Sequence, residues 1–444
     1  MQMSGIRNLT ARVFLPFAAG YYLSYLFRTI NALIADHLSS DTGLGTAALG
    51  LLTSLYFLVF AAAQIPVGIL LDRFGPRRVH SALLLVAAAG AGLFAVSTGL
   101  VSLLLARAMI GFGLAAALMA GLKSIVLWFP RERVALMNGY MIMLGSLGAV
   151  TATAPAEHLI AWMGWRQLFE VLAAATAATG MLIYVVVPER VAVPSVSSIP
   201  ATLNSVFSDK RFWRIAPLSA TCVGSAWSLQ GLWVSPWLMD VEGFDRKTVV
   251  GQLFIMSIVS SGGAWLFGMS VHYIKRRGIG AETMFAMVAL LFIAAELALI
   301  LRASLPSILP FSVVAIVGTA TVVSFAVIAD YFPPELAGRA NGALNVLHFG
   351  WAFLAQYATG LILEQWSTNE GHRSVHAYQV AFGLNVALQI AALVWFARPW
   401  CRSFASWMSA IPFFMPAEIS EAIESVGMYE NFVILLPEDD DAEW

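Results

Sequence analysis

Twelve stretches of mainly apolar residues run through this chain, near 13–35, 47–71, 79–98, 101–127, 138–159, 167–187, 213–239, 248–273, 281–301, 305–329, 341–364 and 376–397. Each approaches the roughly 20 residues that a helix needs to cross a hydrocarbon layer about 30 Å thick at about 1.5 Å per residue. In lipid every backbone N–H and C=O must be paired within the protein, so long apolar segments enter as helices. The period-two alternation of a membrane β-barrel strand is missing. The sequence therefore predicts an all-α integral membrane protein with twelve transmembrane helices. Charge agrees: 11% of residues are charged and 59% hydrophobic, too little polarity to clothe a soluble chain of this size.

Other classes fall away. A net charge of −1 supplies no basic field for nucleic acid. The two cysteines, Cys222 and Cys401, make neither a disulfide framework nor a metal cluster. With no P-loop, zinc motif or catalytic triad, neither an enzyme nor a cofactor is expected. The first apolar run continues without a small-residue cleavage site and reads as a spanning helix rather than a signal peptide.

Basic residues in the loops orient the chain. Seventeen lie on one side, among them Arg73, Arg77, Arg78, Arg131, Arg133 and Lys275. Five lie on the other (Arg166, Arg246, Lys247, Arg302 and Arg373), while Arg28, Arg107 and Lys123 fall inside helices. The positive-inside rule then predicts cytoplasmic N- and C-termini in a bacterial-type inner membrane. The Ser-, Pro- and Val-rich stretch 188–212 reads as a cytoplasmic linker between six-helix halves at 1–187 and 213–397, followed by a cytoplasmic tail at 398–444. The halves echo each other. Phe129-Pro130-x-Glu132 leading to Asn138-Gly139 recurs as Phe332-Pro333-x-Glu335 leading to Asn341-Gly342, every member 203 residues later.

Between the second and third stretches stands Gly68-Ile-Leu-Leu-Asp72-Arg73-Phe-Gly75-Pro76-Arg77-Arg78. It resembles the G-x-x-x-D-R-x-G-x-R-R signature of the major facilitator superfamily. A decayed copy follows in the second half, Gly268-x-x-x-His272 with Lys275-Arg276-Arg277, in which His272 replaces the acid. Arg107-x-x-x-Gly111-x-Gly113 also resembles a fourth-helix motif of that family, and Gly145-x-x-Gly148 with Pro155 is loosely similar to its glycine-proline motif. The resemblance covers residues 10–397. It implies two pseudo-symmetric six-helix bundles around a central cavity, alternating access, and a conformational latch made of Gly68, Asp72, Arg73, Gly75, Arg77 and Arg78.

A charge inside a membrane costs at least about 2.5–3.5 kcal/mol, so each one demands a partner, a cavity or a function. Arg28 has Tyr25 three residues back and Asn31 three residues on, a face on which a guanidinium, a phenol and an amide suit a planar oxyanion. The alternatives are an arginine reaching the interface or pairing with Asp36. Arg107 is either support for that site or a structural donor. Lys123 is either an exit contact or a side chain snorkelling to the surface. The opposite wall is expected from Gln230 and Trp233 on the seventh helix and Asn345 and His348 on the eleventh, with Tyr56, Gln64 and Gln252 as weaker candidates. His348 is the group expected to titrate if protons drive transport. Glu296 is the sole carboxylate well inside a predicted span.

Three functions are compatible with these residues. The leading one is a secondary transporter of a small organic anion such as a carboxylate, acting as a monomer, with a proton as a candidate coupling ion. The others are an exporter of amphipathic compounds and a non-transporting sensor that signals through its tail.

Overall fold

A computed structural model describes residues 8–190, 204–277, 280–319, 321–366 and 372–409, with side chains described except at 135, 264–276, 322, 329, 334–335 and 399–409. Most of the linker, the tail beyond 409, and Gly268, His272, Lys275 and Arg276 of the decayed motif therefore lie outside the described residues or side chains. Among the described residues the helices group into twelve successive spans. α1 comprises Thr10–Phe14, Leu15–Thr29 and Asn31–Thr42. The helix Thr46–Val96 is folded at Gly75 into α2 (46–74) and α3 (76–96). α4 is Leu100–Leu114 with Ala117–Trp128. α5 is Arg131–Thr151 continued from Ala154 to 163, and α6 is 165–186, the chain folding at Gly164. α7 comprises Lys210–Ser228, Leu229–Trp233 and Val234–Asp240. α8 is Arg246–Arg276, α9 Ala281–Ile300, α10 Ile308–Val317 with Thr321–Tyr331, α11 Pro334–Glu364 and α12 Val375–Ser409. Among the described residues seven helical stretches, the folded Thr46–Val96 and Ala154–Val186 among them, are long and apolar enough to cross a bilayer.

Some spans extend several residues past the apolar stretches, because hydropathy marks only the part of a helix that meets hydrocarbon. α5 starts at Arg131 and α12 runs to Ser409. The repeated Phe-Pro motif has one structural job in both places. Pro130 (φ −61°, ψ 148°) and Pro333 (φ −60°, ψ 153°) hold extended backbone immediately before α5 and α11. Proline has no N–H to lose at a helix entrance and its fixed φ sets the entry angle.

Gly75 has φ 79° and ψ 162°, a region that only glycine occupies without strain. That is why the signature carries glycine where α2 turns into α3. Gly75→Ala is expected to cost about 1–3 kcal/mol, read as a drop in thermal unfolding temperature of the purified protein. Gly139→Ala on α5, where an added Cβ meets nothing within 4 Å, is the matched control.

Candidate functional site

The remaining helix breaks gather around one place. α1 tightens at Ile30 (ψ −18°), α4 breaks at Ala115 and Ala116, α7 carries a π-helical turn over Leu229–Trp233, and α10 opens at Gly318. Each interruption releases backbone groups that a regular helix would consume. Several are taken up by side chains. Trp227 Nε1 donates to the Gly318 carbonyl at 2.7 Å, Gln230 Nε2 to the Val314 carbonyl at 3.2 Å and Gln64 Nε2 to the Ala115 carbonyl at 3.4 Å.

Between these breaks lies a cavity of about 100 Å³ whose lining includes Tyr21, Tyr25, Arg28 and Gln64 from the first half and Trp227 and Asn345 from the second. Arg28 also borders a smaller recess lined by Thr153, Gln230 and Ser257. Its guanidinium carbon lies 4.0 Å from the centre of the Tyr25 ring and 5.0 Å from that of Trp227. Among the described residues Arg28 makes no ion pair; Asp36, its sequence alternative, pairs with Arg246 instead. The cation thus lies against two aromatic rings, with a side-chain hydrogen bond to Tyr25 beside it, and its five-donor fork has further N–H groups to offer a ligand.

Three of the eight residues expected to form the site, Arg28, Tyr25 and Asn345, line this cavity, and Gln230 lines the recess behind Arg28. Asn345 Nδ2 reaches Gln64 Oε1 across the two halves at 3.4 Å. The other four stand elsewhere. Asn31, just past the tightening at Ile30, is buried with Nδ2 3.5 Å from the Arg28 carbonyl and lines neither cavity that Arg28 borders. Arg107 is wholly buried against Phe94 and Phe169, 4.3 and 5.6 Å from the ring centres, inside the first bundle. Trp233 donates to the Gln356 carbonyl at 3.0 Å. His348 is buried with Nε2 2.7 Å from Ser219 Oγ, facing α7 rather than the cavity. Helical spacing established which residues share a face, but not which face looks inward. Tyr21 and Trp227 were not counted as site residues; their signal was aromatic rings two turns before Arg28 and one turn before Gln230.

The signature residues pack at one end of the first half, here called the motif end. Lys123 Nζ bonds Asp72 Oδ1 at 2.5 Å and the Leu71 carbonyl at 2.8 Å, tying α4 to α2. That pairing gives Lys123 a structural contact at the surface. Arg77 donates to the Tyr184 carbonyl at 2.9 Å and Arg78 meets Glu189 at 2.5 Å, tying α3 to the end of α6. Arg73 lies over Phe74, and Gly68 borders a second cavity of about 150 Å³ with Asp72 and Arg339. Gln64 and Met119 line both cavities, so the central one leads towards the motif end.

The far end is clasped. Arg246 on α8 bonds Glu157 at 2.6 Å, Asp36 at 3.4 Å and the Leu33 carbonyl at 3.0 Å. Arg373 bonds Asp240 at 3.0 Å and Thr46 at 3.1 Å, and Gln356 bonds Thr53 at 2.5 Å. Each cluster bridges the first six helices and the last six. The Arg246 pairs are about a quarter to two-fifths exposed, so each contributes only about 1 kcal/mol or less. Arg246→Gln is therefore expected to raise maleimide labelling of a Thr153→Cys reporter roughly tenfold, the change that about 1.4 kcal/mol produces. Unchanged labelling would show that the clasp does not hold this end shut.

A family model described as Major Facilitator Superfamily matches residues 17–356. The chain belongs to the major facilitator superfamily. As a multi-pass membrane protein of twelve helices in two pseudo-symmetric bundles, this facilitator has the fold its motifs imply. It is similar to a bacterial homologue of the human lysosomal transporter Spinster in an inward-facing, unoccupied conformation, with a TM-score of 0.71 and 18% identity over 87% of this chain and 96% of that one. It is also similar to a D-xylose–proton symporter, with a TM-score of 0.66 and 14% identity over 88% and 97%. Among curated relatives, a probable sulfoacetate transporter of Cupriavidus necator is 27% identical over 154 residues, 35% of this facilitator and 36% of the relative. The hexuronate transporter of Escherichia coli is 23% identical over 249 residues, 52% and 57%. The matches thus span between about a third and somewhat over half the length of these relatives.

Proposed function

We propose that this facilitator is a secondary transporter of a small organic anion, bound in the central cavity by Arg28. One observation carries the reading: a guanidinium borders a cavity between the two halves with aromatic rings beside it and, among the described residues, no carboxylate partner. Such a group is expensive in a membrane unless something negative meets it. Tyr25, Trp227, Gln64 and Asn345 complete the wall, and Gln230 backs it. Relatives named for sulfoacetate, hexuronate and L-galactonate support an organic anion. The far-end clasp and the opening towards the motif end support alternating access. With the basic loops placed in the cytoplasm, that opening faces inward and both termini are cytoplasmic. Residues 188–212 then link the two bundles across the cytoplasmic face.

A second reading, export of drug-like compounds, is favoured by the aromatic side of the cavity (Phe60, Phe325 and Phe349) and by a relative named as a quinolone resistance transporter, 28% identical over 172 residues. A thermal-shift screen of the purified protein separates the two. A ligand that binds only the folded state raises its stability by about 2.7 kcal/mol at a hundred times its Kd. The anion reading expects shifts from carboxylates and sugar acids. Shifts from quinolones alone would overturn it.

A further inference from the structure

Glu296 on α9 does not face lipid. It is fully buried, and Asn385 Nδ2 on α12 donates to its Oε1 at 3.0 Å. Its Oε2 has no partner. Gln389, one turn further along α12, is also fully buried and close enough to interact with the Glu296 carboxyl, yet neither end of its amide makes a well-formed hydrogen bond. The remaining ionisable group nearby is Cys222 on α7. α9 packs on α7 and α10. The ionisable residues of α10, Asp330 and Tyr331, belong to the motif end, where Tyr331 bonds Glu282. Glu282 is fourteen residues before Glu296, about 21 Å along the helix. Among the described residues no lysine, arginine or histidine stands beside Glu296.

A carboxylate without a cation at this depth is costly, and two orphaned polar side chains side by side compound the cost. One proton removes both problems. We propose that Glu296, with Gln389 and Asn385, forms a proton-binding site within the last six helices, and that it is occupied in this conformation. The proton sits on Oε2, because a directed chain of donors makes Oε1 an acceptor. Trp351 Nε1 on α11 donates to Ser225 Oγ at 2.9 Å, and Ser225 donates to Asn385 Oδ1 at 2.8 Å. Asn385 then presents its N–H to Glu296. The Oε2–H donates to Gln389 Oε1, and the Gln389 amide N–H returns to the second lone pair of Glu296 Oε1, an acid–amide pair that satisfies all the orphans. Loss of the proton to water leaves a carboxylate facing the amide oxygen of Gln389. The chain of donors ties the site to α7 and α11, which carry Trp227 and Asn345 at the cavity, so occupancy and helix packing are linked. A monovalent metal ion fits less well, since Glu296 Oε2 and Gln389 Oε1 are the free oxygens the site offers and such an ion needs several.

Infrared difference spectroscopy of the full-length protein in nanodiscs tests the site directly. Wild type at neutral pH is expected to show the C=O stretch of a protonated, buried carboxylic acid. Glu296→Gln should remove it, and Gln389→Leu, which keeps the acid but takes away its partner, should shift it. Absence of a band assignable to Glu296 overturns the proposal. So does its disappearance on adding sodium at constant pH, which would identify a metal-ion site. A second readout rests on the transport reading. A pH gradient of one unit can sustain up to about tenfold accumulation of a co-transported probe, here gluconate. Glu296→Gln should reduce accumulation to about unity while gluconate counterflow persists. Full accumulation by the variant would contradict coupling through this site; absence of gluconate flux in wild type would count against the anion reading and leave the infrared result standing.

Discussion

Arg28→Ala is expected to weaken binding of a carboxylate ligand by at least about 30-fold. Truncating one member of a buried, hydrogen-bonded charge pair costs about 2–5 kcal/mol, and the lower figure already corresponds to about 30-fold. Arg28→Lys should recover little. A lysine supplies one mobile ammonium, whereas the guanidinium lies over Tyr25 and Trp227 at 4.0 and 5.0 Å and offers a planar fork. The free protein should respond in the opposite sense. Removing a cation that has no carboxylate partner is expected to leave thermal stability unchanged or raised. Equilibrium binding and ligand-free unfolding, measured side by side, check both. Loss of binding together with unfolding would point to a structural arginine instead.

Gly148→Leu is expected to cost about 3 kcal/mol or more and to abolish binding with it. A Cβ at Gly148 would collide with the backbone carbonyl oxygen of Tyr22 and come within 3.0 Å of the Leu26 nitrogen. Backbone cannot swing aside as a side-chain tip can, so α1 would have to move off α5. Gly145, one turn earlier, lies against the side-chain ring of Tyr21. These two glycines set the position of α1, and α1 carries Tyr21, Tyr25 and Arg28. Gly139→Leu on the same helix, with open space around it, is expected to leave the unfolding temperature and ligand binding near wild type. Leucine is a better helix former than glycine, so equal damage from both would mean that added bulk anywhere on α5, not close approach to α1, is what the protein does not tolerate.

Where apolar length or a fixed motif carried the information, the sequence was readable. All twelve spans stand where hydropathy put them, and the glycine of the signature sits at the turn that requires it. Arg28 was legible because a lone charge in an apolar run has few explanations. Arg107 looked equivalent by that criterion, yet it faces Phe94 and Phe169 within one bundle. Asn345 and His348 are three residues apart on α11, but one reaches Gln64 across the cavity and the other turns to Ser219. In a helix that is apolar all round, periodicity cannot say which side meets a neighbour and which meets the cavity. The breaks at Ile30, Ala115 and Gly318 were equally silent. No proline marks them, and they are held by tertiary contacts such as the Trp227 bond to the Gly318 carbonyl.

A cryo-EM structure of the protein in nanodiscs, with the carboxylate that gives the largest thermal shift, probes the central idea most directly. The expected density places an acid group within hydrogen-bond distance of the Arg28 guanidinium, between the Tyr25 and Trp227 rings. Ligand density elsewhere, or Arg28 locked to a protein carboxylate in the ligand-bound state, would contradict it.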